Sequence, residues 1–202
     1  MIYNAPIKDM LFLVNEWIGI DRLNALPGYE EVDTDLIEAV LEEAGKFAST
    51  ELLAINREGD EHGARFEDGR VTTPPGFKEA YTQFIEGGWT GIDASPDHGG
   101  QGLPKLLQSL IDEILGATNV AFKLYTELSR GAYHCLAHAA SEDVCEKYLP
   151  KMVEGVWSGT MCLTEPHSGT DLGLLKCKAV PADDGTYKLS GEKIFITSGD
   201  HD

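Results

Sequence analysis

A chain of 202 residues, 42% of them hydrophobic, is long and apolar enough to bury a sizeable core, which excludes global disorder. Its 34 acidic against 16 basic side chains give a formal charge of −18, and a field of that sign repels phosphate backbones and anionic lipid. Composition therefore argues against nucleic-acid and membrane partners, and the charged residues of the N-terminal stretch argue against a secretory signal, so we predict a cytoplasmic protein.

Helical periodicity begins at Thr34. Apolar residues recur at three- and four-residue steps over 34–55, which predicts one helix with a single apolar face, and Thr34 is a plausible N-cap. The polar, glycine-containing stretch 56–73 predicts a loop. A second helix is then expected to follow Pro74 and to stop at Gly87, since proline suits a helix start and glycine a helix end.

Three further helices are predicted after a loop rich in glycine and proline. The loop covers 92–104, and the helical pattern returns over 106–115, 121–140 and 141–148. Pro150 is expected to interrupt the last of these, because a proline inside a helix removes a backbone donor and clashes with the preceding turn. A short amphipathic piece completes the helical region.

The character of the sequence changes at Val156. The segments 160–163, 174–180 and 187–197 are short and rich in β-forming residues, and the turn former Ala182-Asp-Asp-Gly185 separates the last two. Two or three strands cannot bury both faces of a sheet, so the β part is expected to be incomplete. Alternatives are that it borrows strands from another chain or packs on the helices.

The segregation of helices and strands predicts the α+β class rather than alternating βαβ units. We expect three regions: an N-terminal extension (1–33), an all-helical domain (34–155) and the start of an antiparallel β-domain (156–202).

Neither the cysteines nor the histidines indicate a metal or disulfide site. No Cys-x-x-Cys pair occurs, so four reduced and mostly buried thiols are expected, at Cys135, Cys145, Cys162 and Cys177. His134 and His138 are four residues apart but lack the acidic neighbour of a zinc helix motif. They are interpreted as helix-packing residues, and no metal is predicted.

Two stretches of the β part carry groups suited to binding. Segment 161–171 leads from a β-prone run into a Thr-Glu-Pro turn, whose backbone N–H groups and hydroxyls suit an anion or the polar rim of a flat heterocycle. Phe195 and Thr197 would share one face of a strand, where a ring and a hydroxyl can meet a planar cofactor. A capped turn and an ordinary amphipathic strand explain the same residues without a ligand.

Together these stretches carry a family resemblance. The runs CLTEPHSGTDLG and YKLSGEKIFITSGD closely resemble the flavin-binding signature of acyl-CoA dehydrogenases, and the loop from Pro96 to Pro104 resembles their P-x-x-x-G-G-x-G loop. The opening Tyr3–Phe12 resembles the N-terminal extension of a bacterial subgroup that includes 3-methylthiopropanoyl-CoA dehydrogenases. The resemblance covers essentially the whole chain and implies that family's N-terminal helical domain followed by its middle β-domain.

The resemblance also implies roles for individual residues. FAD would be contacted by Met161, Leu163, Thr164, Gly169, Thr170, Phe195, Ile196 and Thr197. Phe195 would pack on the isoalloxazine ring and Thr197 would hydrogen-bond near its reactive nitrogen. Thr170 would also contact acyl-CoA, and it stands where the family usually has serine. Met161 departs from the family's usual tyrosine or phenylalanine.

The implied activity is introduction of an α,β double bond into an acyl-CoA, by α-proton abstraction and β-hydride transfer to FAD. The family's glutamate base lies in the C-terminal domain, so no catalytic base is assigned here and it is expected beyond Asp202; Glu165 is not assigned as that base. The 202 residues alone are expected to bind FAD weakly or not at all, and not to turn over. Electron-transfer flavoprotein is the implied acceptor, and the full-length protein is expected to be a homo-oligomer.

Two other functions remain open at this point. One is a non-catalytic acidic helical module that docks on another protein, with the signature residues as relics. The other is a DNA-damage-response relative within the same family, against which the charge of −18 argues.

Overall fold

The computed structural model describes residues 2–202 and shows a helical body followed by a small β part. Its helices are α1 Ile7–Phe12, α2 Ile20–Asn24, α3 Thr34–Phe47, α4 Leu53–His62, α5 Phe77–Glu86, α6 Lys105–Thr118, α7 Val120–Ala139 and α8 Glu142–Val153. The strands form two antiparallel hairpins, β1 Arg65–Glu67 with β2 Arg70–Thr72 and β3 Lys178–Pro181 with β4 Tyr187–Ser190. This confirms a helical domain followed by a small antiparallel sheet.

The core lies among α3, α5, α6 and the start of α7, as the helical period predicts. Leu41, Ile114 and Phe122 are fully or almost fully buried there. The Phe84 and Phe122 rings meet edge to face with centroids 5.6 Å apart, a geometry that favours aromatic pairs. A smaller apolar cluster between α7 and α8 is centred on Leu149.

The N-cap of α3 is Asp33, not Thr34. The Asp33 carboxylate accepts a hydrogen bond from the backbone N–H of Leu36 at 2.8 Å, while the Thr34 hydroxyl donates to the side chain of Asn15 at 2.9 Å. A carboxylate at the cap also interacts favourably with the helix dipole. The N-terminal extension thereby contacts the first turn of α3.

The predicted loop 56–73 is wrong in both halves. After a π-helical turn at Ala48–Leu52 the chain continues as α4 to His62, and a hairpin follows. The last turns of α4 are polar and exposed, so they lack the apolar period, and pairs such as Arg57 with Glu61 at 2.7 Å support them instead. The hairpin turn is Asp68-Gly69, both residues with positive φ, as the tightest hairpin turns require.

Pro150 does not end a helix. It lies inside α8, and its carbonyl still accepts a hydrogen bond from the Glu154 N–H at 2.9 Å. Leu149 and Met152, on either side, are buried against α7, and we attribute the persistence of the helix to this packing, which outweighs one missing donor.

The N-terminal extension is helical, which the sequence analysis did not predict. Beyond α1 and α2 it contains a π-helical turn at Leu13–Ile18. Met10 and Val14 are buried in the same cluster as α3 and α6, so the extension is part of the helical body.

The β part has shorter strands than predicted. The turn at Asp183–Gly185 joins β3 and β4, which pair antiparallel with Lys178 opposite Ser190. Segments 160–163 and 191–197 form no strand, because a strand needs a ladder of backbone hydrogen bonds. Residues 160–164 and 191–197 share a single backbone bond, from Ile194 N–H to the Thr164 carbonyl at 2.9 Å.

All four cysteines are free thiols, but the expectation that most are buried is wrong. Cys135 and Cys162 are exposed, and Cys145 and Cys177 are half-buried. In residues 2–202 no cluster of three or more His, Cys, Asp or Glu side chains has the arrangement of a metal site. Over the same range, no helix is long and apolar enough to cross a membrane.

Candidate functional site

The two stretches that carry the flavin signature lie side by side. Besides the bond between Ile194 and Thr164, the Lys193 ammonium donates to the Leu163 carbonyl at 2.8 Å. At the other end, the Thr160 hydroxyl donates to the Thr197 carbonyl at 2.6 Å. These contacts run in antiparallel order, so residues 160–164 and 193–197 form one continuous surface although neither is a regular strand.

This surface is apolar and open. Phe195 is 86% exposed and Met161 60% exposed, and Leu163 is also exposed. Exposed large apolar side chains in one place are typical of a binding surface. Thr164 is half-buried and Thr197 exposed, so hydroxyl groups border the apolar side chains.

Phe195 does not share a strand face with Thr197, contrary to the sequence-based expectation. Its φ is +57°, in the left-handed region that a bulky L-residue rarely adopts. Ser198 is also left-handed, with φ of +51°. Such conformations cost roughly 1–3 kcal/mol each and concentrate at ligand sites, where they place a side chain for contact.

The turn after the first stretch is organised by Glu165. Its N–H and carbonyl exchange backbone hydrogen bonds with Ser168 at 2.9 and 3.0 Å, closing a tight turn. Ser168 in turn donates from its hydroxyl to the Asp171 carbonyl at 2.6 Å. Gly169 and Thr170 are therefore presented on the outside of a fixed turn, where both are exposed.

The buried Glu165 carboxylate ties this turn to the following segments. It accepts hydrogen bonds from the backbone N–H groups of Lys176 at 2.8 Å and Cys177 at 3.0 Å, and from the Lys193 ammonium at 2.9 Å. The Lys176 N–H, then Lys193, hold the pKa of the Glu165 carboxyl well below its usual range. A carboxylate this stabilised in its ionised form is a poor proton acceptor, so its geometry is that of a structural anchor.

A groove lies where the last residues of the chain meet the helical domain. Its volume is about 760 Å³, and its walls include the aromatic residues Phe77, Tyr81, Phe122 and Tyr125. Ile196 also lines it, so the groove adjoins the signature surface. A largely apolar cleft with a few polar groups is the usual form of a small-molecule site.

Polar contacts hold the chain end at this groove. The Asp202 carboxylate accepts hydrogen bonds from the N–H and hydroxyl of Thr73 at 2.8 and 2.7 Å. The Thr73 N–H, then its hydroxyl, lower the pKa of the Asp202 carboxyl below its usual value. The His201 imidazole lies 2.7 Å from the Tyr125 hydroxyl on α7. Residues 129 positions apart are thus joined across the groove.

Sequence reasoning missed the residues that hold this site together. Lys193 and Glu165 pair across 28 positions and His201 and Tyr125 across 76, and no local pattern in one sequence reports such pairs. One signal was available in the sequence. Glu165 is an acidic residue inside a β-prone stretch, and because an unpaired charge is costly to bury, it should have a partner elsewhere in the chain.

The arrangement is suited to hold a planar aromatic cofactor. An exposed phenyl ring can stack on a flat heterocycle, hydroxyl and backbone groups of the two stretches can meet its polar edge, and the turn at Gly169 exposes backbone to an anionic group. The side chains present therefore fit a flavin on one face. The surface is open rather than enclosed, so it could contact such a group on one side only.

Comparisons with known proteins agree with this description. The family model of the acyl-CoA dehydrogenase N-terminal domain matches residues 34–156. A 3-methylmercaptopropionyl-CoA dehydrogenase of Ruegeria pomeroyi is 43% identical over the whole chain, which covers 34% of that relative.

Solved structures show the same fold. Butyryl-CoA dehydrogenase from Megasphaera elsdenii superposes with a TM-score of 0.71 at 29% identity, over 83% of this chain and 42% of that one. An acyl-CoA dehydrogenase complexed with FAD from Bacillus anthracis gives a TM-score of 0.69 at 26% identity, over 89% of this chain and 29% of that one. The chain thus spans about a third of the length of the curated relative it matches.

Proposed function

Because this chain belongs to the acyl-CoA dehydrogenase family, we propose that it forms the N-terminal part of an FAD-dependent enzyme that introduces an α,β double bond into an acyl-CoA thioester. The regions 1–33, 34–155 and 156–202 would be its N-terminal extension, helical domain and the start of its β-domain. The proposal concerns the whole protein. The chain matches about one third of the length of its Ruegeria pomeroyi relative.

One observation carries the proposal: the two halves of the signature, 30 or more residues apart in sequence, form one exposed surface. The hydrogen bond from Ile194 to Thr164 and that from Thr160 to Thr197 bring them together. FAD, when bound there, would supply the hydride acceptor. The protein's part is to orient the isoalloxazine ring and the thioester relative to each other.

Each residue of the surface has a proposed task. Phe195 packs on the ring, and Met161 and Leu163 extend the apolar contact. Thr164 and Thr197 offer hydroxyl and backbone groups to its polar edge, and Ile196 borders the adjoining groove.

The turn at Gly169 and Thr170 would lie near the flavin phosphates, with the Thr170 hydroxyl also contacting acyl-CoA. Glu165 keeps this turn in place through its three donors. No residue of the chain is assigned as the α-proton base, which we place beyond Asp202. The groove lined by Phe77, Tyr81 and Phe122 is large and apolar enough to take part of an acyl-CoA.

Electron-transfer flavoprotein is the proposed electron acceptor, by family resemblance. A homo-oligomeric full-length protein and a cytoplasmic location also remain predictions. The 202 residues alone are expected to bind FAD weakly or not at all and to be inactive, since the proposed flavin wall is open.

The experiment that tests the function compares the full-length protein with its Phe195→Ala variant. Purified protein is titrated with FAD and then mixed with short-chain acyl-CoA thioesters in the absence of oxygen. Bound flavin that loses its visible absorbance on mixing supports the proposal. A full-length protein that fails to bind FAD would instead favour a non-catalytic interaction module.

A further inference from the structure

A small cavity with both apolar and polar walls lies inside the helical domain, between α5, α6, α7 and α8. Its volume is about 20 Å³, and its walls include Gln108, Thr126, Ser129 and Arg130. This cavity is separate from the groove beside the signature surface, which has its own lining apart from Tyr81.

Gln108 gives the cavity an acceptor without a partner. The residue is 4% exposed, and its Nε2 donates to the Asp112 carboxylate at 2.9 Å. Its Oε1 is buried and has no hydrogen-bond partner among the residues that the structure describes. Turning the amide over would place this oxygen against the carboxylate, so the orientation is fixed by charge. A buried amide oxygen left unpaired costs roughly 1–3 kcal/mol, so a donor is expected in the cavity.

Three of the five hydroxyl groups in the cavity wall direct their protons to backbone carbonyls at 3.0 Å or less. Thr90 donates to the Val153 carbonyl at 2.6 Å and Thr126 to the Lys123 carbonyl at 3.0 Å. Tyr81 likewise donates to a backbone carbonyl at 2.9 Å. A hydroxyl has one proton, so these oxygens present only lone pairs to the interior. The guest must therefore be a donor.

Arg130 supplies the opposite kind of group. Two of its terminal N–H groups bind Asp112 at 2.9 and 2.5 Å, and a guanidinium has five N–H donors in all. The guest must then accept as well as donate. The positive charge of Arg130 disfavours a cation such as ammonium.

We propose that this cavity binds one water molecule, which donates to Gln108 Oε1 and to a threonine hydroxyl oxygen and accepts from Arg130. Its volume of about 20 Å³ exceeds the roughly 10–15 Å³ that one buried water requires. Two to four polar partners are typical of such waters. The water joins α6 to α7 through Gln108 and Arg130, beside the ion pair that already links these helices.

The test is a high-resolution crystal structure of the full-length protein and of its Gln108→Leu variant. The wild type should show one density peak within hydrogen-bond distance of Gln108 Oε1. Gln108→Leu should lose the peak while Asp112 and Arg130 stay paired. Ser109→Ala is the matched control, since Ser109 is an exposed neighbour on the same helix, and should keep the peak.

Three results would overturn the proposal: an empty wild-type cavity, a protein N–H bound to Gln108 Oε1, or a peak that persists in Gln108→Leu. Should that variant fail to fold, Thr126→Val removes one lining oxygen at nearly constant volume. The peak is then expected to be lost or displaced, and an unchanged peak in Thr126→Val and in a matching Thr90→Val would also overturn the proposal.

Discussion

The ion pair between Asp112 on α6 and Arg130 on α7 offers a test of what holds the helical domain together. The two side chains are each 17% exposed and form a bidentate contact at 2.9 and 2.5 Å. Burial alone would lower the pKa of Arg130, but the hydrogen bonds and charge of Asp112 outweigh it and raise that pKa. Asp112→Asn removes the negative charge that pairs with the guanidinium, and only the carboxylates of Asp93 and Glu127, which form no ion pair with Arg130, remain near it.

The expected loss is large. Breaking a buried pair by removing one partner costs about 3–5 kcal/mol. Asparagine keeps one acceptor oxygen, so the lower end of that range, about 3 kcal/mol, applies. With roughly 2–4 °C per kcal/mol for a domain of this size, the Tm should fall by about 6–12 °C.

Thermal unfolding of the 202-residue chain, followed by far-ultraviolet circular dichroism, measures this shift. Lys151→Gln is the control, because Lys151 and Glu154 pair at 2.8 Å on the surface with about half of each side chain exposed. An exposed pair contributes about 0–1 kcal/mol. If Asp112→Asn shifts the Tm no more than Lys151→Gln does, the buried pair between Asp112 and Arg130 does not stabilise the helical domain. The double variant Asp112→Leu/Arg130→Leu should lose less stability than Asp112→Asn, since it leaves no buried charge.

Three further predictions concern the core and the site. Phe122→Ala should lower the free energy of unfolding by about 3–5 kcal/mol, measured by urea denaturation, because it empties a fully packed position. Phe195→Ala should weaken FAD binding by the full-length protein by about tenfold, as expected for one aromatic contact, and leave Tm unchanged, whereas the control Tyr187→Ala, which removes another exposed aromatic ring of the β part, should change neither. Glu165→Gln should speed hydrogen exchange at the two amides that bind this carboxylate, whereas the exposed Glu192→Gln should not. The pKa of Glu165 is depressed in the folded state, so the stability that its carboxylate contributes is present above the ordinary carboxyl pKa and is lost as the pH falls through the folded-state pKa. Protection of the two amides against exchange should therefore fall in acid in the wild type and should not fall in Glu165→Gln.

The helical domain was largely predictable because its signal is local. Apolar residues at helical spacing, such as Leu41 and Ile111, are the ones that the fold buries. The errors in helix length arise from packing and side-chain pairing, which the spacing of apolar residues does not reveal. The end of α4 is polar on every side, and α8 continues past Pro150 because its neighbours are buried against α7.

The site was predictable in outline only. The signature residues could be named from the sequence, and the structure brings 160–164 and 193–197 together. Their backbone geometry was not predictable, because a β-prone sequence becomes a strand only where a neighbouring strand offers a ladder. The left-handed Phe195 is the clearest case, since local propensity favours an extended residue there.

We propose above that the two signature stretches form the flavin-binding surface of an acyl-CoA dehydrogenase. The most direct measurement is the visible spectrum of the full-length protein, loaded with FAD, before and after an acyl-CoA thioester is added without oxygen. We expect the substrate to bleach the flavin absorbance, and Phe195→Ala to need about tenfold more FAD for the same occupancy. FAD-loaded protein whose spectrum no acyl-CoA changes, or unaltered FAD affinity in Phe195→Ala, would contradict it.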